Sequence, residues 1–127
     1  MSGVLVDTSV WIDHFRNCNN ALVNLLDQNF VLTHPMVIGE IACGTPPVPR
    51  APTLGDLGLL PMIQPASLHE TMQFIERESI YGMGCGLVDM MLLASTLITP
   101  NAKLWTLDKR LASLAEQFGV AHRVAVH

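Results

Sequence analysis

Basic residues are scarce in this chain: seven Lys plus Arg stand against eleven Asp plus Glu, a formal net charge of −4 over 127 residues. That balance speaks against a protein gripping nucleic acid through a broad cationic face. Cysteines are few as well. Cys18, Cys43 and Cys85 are odd in number and widely spaced, with no C-x-x-C pair and no cluster of His. Neither a disulfide framework nor a zinc site is indicated, and all three are expected to be buried thiols. The longest apolar run, Leu87 to Ile98, contains Asp89, Ser95 and Thr96 and is too short to cross a bilayer, so no membrane association is expected. No basic segment precedes an apolar one at the amino terminus, so no secretory signal is seen and a cytoplasmic location is expected.

Half of the residues are apolar and the mean hydropathy is +0.37, enough to bury a substantial core in one domain spanning 1–127. Four carboxylates stand out from that background: Asp7, Glu40, Asp89 and Asp108. Setting them aside leaves seven acidic residues against the seven basic ones. The excess negative charge therefore equals one candidate site, and a bound divalent cation would offset part of it. Among the basic residues, Lys103, Lys109 and Arg110 lie close in sequence as a candidate phosphate patch.

Val4 to Val6 is a continuous apolar run of the kind that forms a strand buried on both faces, and it ends in Asp7. Thr8 and Ser9 follow, either able to cap a helix with Val10, Trp11 and Phe15 on one side. Ala21 to Asp27 reads as a second helix, and Phe30 to Thr33 as a second buried strand. His34-Pro35 opens a helix to Cys43, in which Glu40 falls on the apolar stripe and is expected to point inward. An inward Glu requires a metal ion or a basic partner, Arg16 or Arg50. Thr45 to Thr53 carries four prolines and is expected to be a surface connection, neither helix nor central strand.

Leu54 to Leu60 reads as a short helix, and Met62 to Gln64 as a short strand or extended link. Ser67 caps a helix striped by Leu68, Met72 and Ile75. The Gly82 to Gly86 loop leads into Leu87–Ile98, where Asp89 occupies the first turn of a helix expected to be buried nearly all round. There it requires a cation or strong donors. Lys103 to Leu107 is a third strand ended by Asp108, itself a fitting N-cap for the helix of Leu111, Leu114, Ala115 and Phe118. Arg123 to Val126 is a candidate edge strand.

This alternation predicts an α/β fold with a parallel sheet between helical layers. If both strand-end aspartates lie at one sheet edge, the helices that start there bring Glu40 and Asp89 beside them. Four carboxylates without clustered His or Cys select a hard cation, Mg²⁺ or Mn²⁺. Such a cation can generate hydroxide and offset charge on a phosphodiester during in-line displacement.

Val6-Asp-Thr-Ser-Val-Trp-Ile-Asp13, Gly39-Glu-Ile41, Gly86-Leu-Val-Asp-Met-Met-Leu-Leu-Ala94 and Leu104-Trp-Thr-Leu-Asp108 resemble, in order and spacing, the acidic motifs of the PIN domain, specifically the small toxins of VapC type. The resemblance implies a three-layer α/β/α domain with a central parallel sheet of about five strands. It also implies a Mg²⁺-dependent endoribonuclease leaving 3′-hydroxyl and 5′-phosphate ends, acting on structured RNA such as tRNA. By the same resemblance Asp7, Glu40 and Asp89 match the invariant acidic positions and Asp108 the more variable fourth. Thr106 matches the Thr of the T-x-D motif, and Thr8 and Ser9 the hydroxyl positions after the first Asp. A homodimer, a cognate antitoxin and a complex with it are implied too. The chain departs from the family at the Pro-rich stretch, where a helix often contacts the antitoxin, and at Lys109-Arg-Leu111, which lacks the aromatic common there. A phosphoacceptor receiver domain would need an acidic pair after the first strand and a Lys ending the last core strand, and neither is apparent. A non-catalytic PIN-like interaction module would be marked by loss of acidic positions, and all four stand.

Overall fold

The computed structural model describes residues 3–124. Three strands, β1 (Gly3–Val6), β2 (Val31–Leu32) and β3 (Ala102–Trp105), form a parallel sheet in the order β2-β1-β3. The central strand β1 is buried at every position, as a strand covered on both faces must be. At Gly3 the packing is close enough that an added Cβ would stand 2.7 Å from the Leu32 side chain. The expectation of about five strands is met by three. Beyond them, among the described residues, the sheet continues as single parallel bridges, Thr33 with Met62 on one side and Leu104 with Ala121 on the other. Pro61 and Pro65 bracket Met62–Gln64 and have no N–H to lengthen that ladder. At the other edge Leu104 bonds to Val120 and His122. The pairing thus falls before Arg123–Val126, whose last two residues lie outside the described ones.

The helices are α1 (Thr8–Asn17), α2 (Asn20–Asp27), α3 (Pro35–Cys43), α4 (Arg50–Gly58), α5 (Leu68–Glu78), α6 (Leu87–Ile98) and α7 (Lys109–Gln117). Contacts group α1 with α2 and α3, and α3 with α4, while α6 packs with α5, α7 and β3. Right-handed crossovers put these groups on opposite faces, because the chain leaves β1 toward β2 but leaves β3 away from it. Leu5, Val6, Leu92, Leu93, Leu104 and Leu111 form the fully buried centre between sheet and helices.

Helix α4 starts within the proline-rich stretch, which is therefore partly helical, contrary to expectation. Pro52 is the third helical residue, where the missing N–H would have had no intrahelical partner, and the first such bond, Thr53 N to Pro49 O, comes immediately after. Two side chains then tie this segment down. Thr53 Oγ1 donates to Pro47 O and Pro49 O, and Arg50 Nη2 donates to Ala42 O at 2.6 Å.

The cysteines also depart from expectation: Cys18 and Cys43 are exposed and only Cys85 is half-buried. Cys18 follows the last turn of α1 and Cys43 ends α3, and helix ends point to solvent here.

Candidate active site

β1 leads into α1 on one face of the sheet, while β3 leads into α7 on the other. A crevice opens where neighbouring strands send their connections opposite ways, at the carboxyl ends of the strands. Asp7 sits there, one residue past β1 and held to the neighbouring strand by its N–H on Trp105 O at 2.9 Å. Thr106 and Asp108 follow β3 at the same edge.

Asp7 is 6% exposed, and both carboxylate oxygens are held. Oδ1 accepts Thr8 N–H at 2.8 Å, while Oδ2 accepts Ser9 Oγ at 2.8 Å and Thr106 Oγ1 at 2.7 Å. Asp7 itself, neither Thr8 nor Ser9, is the N-cap of α1. The cap and the site are thus one residue. Each hydroxyl has a single hydrogen to give. Ser9 Oγ and Thr106 Oγ1 both direct theirs to Asp7 and in turn accept the backbone N–H of Leu107 and of Asp108, both at 3.0 Å. The two hydroxyls thereby tie the Asp7 carboxylate to the turn after β3. An ionised carboxylate offers about four lone-pair sites and three are taken, which leaves a free position for a ligand.

Glu40 is exposed, so the expectation of an inward side chain is corrected. The buried stripe of α3 is Val37 and Ile41, and Glu40 lies at its edge, facing α1, where Thr8 Oγ1 donates to it at 2.7 Å. No basic partner meets Glu40 among the described residues. Arg50 is engaged with the carbonyls of Ala42 and Gly44 at the end of α3. Asp89 is half-buried, since α6 is not buried all round as expected: its first turn opens to solvent at Leu87 and its last at Leu97 and Ile98, with the buried residues between Met90 and Thr96. Its Oδ2 accepts Gly86 N–H only at 3.4 Å, and Gly86 has no side chain to complete a capping box. Burial first, then the negative charge of Asp7, pushes the Asp89 carboxyl above its ordinary range. Asp108 and Glu40 add to this and the Gly86 N–H opposes it. Asp108 is exposed and caps α7, with Oδ1 accepting Leu111 N–H at 2.9 Å.

One hydrogen-bonded network thus joins Asp7, Thr8, Ser9, Glu40, Thr106 and the backbone of Asp108, while Asp89 faces it through charge. Nothing in sequence periodicity shows the hydroxyl relays, because they span more than ninety residues between Ser9 or Thr106 and its partner across the sheet edge. The Cys85 thiol lies nearby and is pushed up by burial, then by Asp89 and Asp108, against a smaller opposing pull from Arg110.

The donors are carboxylate and hydroxyl oxygens throughout, a set suited to a hard divalent cation. Among the described residues no three His, Cys, Asp or Glu side chains already form a metal-holding cluster. Beside Glu40 a groove of about 390 Å³ runs between α1 and α3, walled by Ile12, Phe15, Ile41, Pro46 and Pro47 with Arg16 at its rim.

No protein-family model matches the chain. Among curated proteins it is 40% identical over 120 residues, 93% of its own length and 94% of the relative's, to Ribonuclease VapC32 of Mycobacterium tuberculosis (strain CDC 1551 / Oshkosh). The same figures hold for Ribonuclease VapC32 of strain ATCC 25618 / H37Rv.

Proposed function

The chain belongs to the VapC-type PIN ribonuclease toxins, and from that premise we propose that it is a Mg²⁺-dependent endoribonuclease, the toxin of a toxin–antitoxin pair working in the cytoplasm. Its substrate is RNA, structured RNA such as tRNA above all, and its cognate antitoxin inhibits it. The observation that carries this reading is the buried Asp7 carboxylate, held by three donors at the strand-end crevice and facing Asp89.

Asp7 and Asp89 are the principal metal ligands, and Glu40 and Asp108 complete the site directly or through water. Mg²⁺, or Mn²⁺ in its place, supplies when bound an activated water for in-line attack on phosphorus and offsets charge on the phosphodiester. Thr8 holds Glu40, while Ser9 and Thr106 hold Asp7, so that the ligand oxygens are preset before substrate arrives. The products carry 3′-hydroxyl and 5′-phosphate ends. Homodimerisation supplements the small basic surface of one copy. The apolar groove beside Glu40 suits an apolar antitoxin segment, and a basic side chain from it would meet the carboxylates.

The test is cleavage of total cellular RNA by antitoxin-free protein with Mg²⁺ or Mn²⁺, beside EDTA and Asp7→Asn controls, with ends mapped by sequencing. Discrete metal-dependent cuts lost in Asp7→Asn are expected. Wild type and variant behaving alike, while the wild type binds the metal, would replace the nuclease with a non-catalytic interaction module.

A further inference from the structure

Along α7 and against Met83 of the Gly82–Gly86 loop runs an open groove of about 430 Å³. It is lined by Met83, Lys109, Arg110, Ser113, Leu114 and Gln117. Lys109 and Arg110 are exposed, and neither is in an ion pair among the described residues. The two salt bridges there, Arg77–Glu78 and Arg123–Glu116, use other cations.

Arg110 packs against the glycine-rich loop. Its side chain lies across Gly84, where a Cβ would stand 2.6 Å from Nη1 and 2.8 Å from Cδ. Gly84 also has φ +82°, a backbone conformation that suits glycine. Lys109 directly follows Asp108, whose carboxylate caps α7, so the groove adjoins the acidic crevice. Lys103, a neighbour of these two in sequence, is not one of them in space. It sits on β3, before the strand's carboxyl end, and donates to Gly119 O at 3.0 Å.

We propose that Lys109 and Arg110 form a phosphate-binding subsite, in which the groove holds a backbone phosphate of the RNA strand beside the one that is cut. This rests on the nuclease reading above and says where the strand runs from the scissile bond: past Asp108, over the start of α7. Two cations outside any ion pair among the described residues, next to Asp108, give a polyanion its foothold. A strand held there presents its neighbouring phosphate to Asp7 and Asp89. The contact reads the backbone and carries no base preference.

The test measures binding of a fluorescein-labelled single-stranded RNA of mixed sequence by Asp7→Asn protein, which cannot cut it. Between about 50 and about 200 mM salt, Lys109→Gln and Arg110→Gln should each reduce the slope of log K against log salt by about 0.7. Lys103→Gln should leave that slope unchanged. In the cleaving protein, the Lys109→Gln/Arg110→Gln double variant should raise KM on the order of tenfold with kcat within about twofold, at unchanged melting temperature. Wild-type cleavage combined with unaltered slopes and KM in the double variant overturns this subsite alone. The pair would then be free for an acidic segment of a protein partner. Total cellular RNA that the wild-type protein neither binds nor cuts with Mg²⁺ or Mn²⁺ overturns the nuclease reading and this subsite with it.

Discussion

Thr106 is small, neutral and two residues before a more conspicuous aspartate, yet it gives its only hydrogen to Asp7 and accepts the N–H of Asp108. Thr106→Val keeps the shape and removes both bonds. Cleavage should fall roughly 10- to 100-fold, as for other groups that orient a ligand, and Thr106→Ser should recover most of it. His34 shows the same logic in a structural role. Its Nδ1 accepts Met36 N–H, so Nε2 carries the hydrogen that reaches Ser95 Oγ. That hydroxyl in turn donates to Met91 O and accepts Ala66 N–H. The ring is 1% exposed, and burial holds its pKa below the ordinary value of 6.5. The fold therefore favours the neutral ring. Its contribution is complete above pH 6.5 and is lost as pH falls from there through the lowered folded value, since the unfolded chain takes up the proton first. Urea midpoints of wild type should drop across that window more steeply than those of His34→Gln. Parallel curves would remove His34 as the cause.

At the scale of elements, helix starts were legible because their chemistry is local. Ser67 accepts Glu70 N–H at 3.0 Å and Glu70 returns the bond to Ser67 N–H at 2.9 Å, the capping box that the residue types allow. Ser67→Ala should cost about 1 kcal/mol by chemical denaturation. Leu93, fully buried in α6, should cost about 2–5 kcal/mol as Leu93→Ala in the same assay. Less legible was α4, since prolines deter a helix assignment unless their positions relative to its first turn are known. Glu40 departs from the inward stripe for a related reason. Helical periodicity gives an angle around the axis, and at the stripe's edge a neighbouring helix decides whether that angle means core or crevice.

For the whole molecule, the four carboxylates equal the net charge, so binding of a divalent cation to the folded state should be visible as stability. At a metal concentration about 100 times Kd the gain is about 2.7 kcal/mol, a rise in melting temperature on the order of 10 °C that EDTA reverses. An Asp7→Asn/Asp89→Asn variant should show almost none of it. An equal rise in that variant would send the metal elsewhere. Most strand and helix positions and the parallel α/β class could be read from the chain alone, because hydrophobic period and cap chemistry are short-range signals. Only the tertiary structure decided which side chains meet. The sheet order brings Thr106 to Asp7 from ninety-nine positions away and leaves Lys103 apart from Lys109 and Arg110. Strand neighbours and crossover direction are long-range choices, and no local pattern carries them.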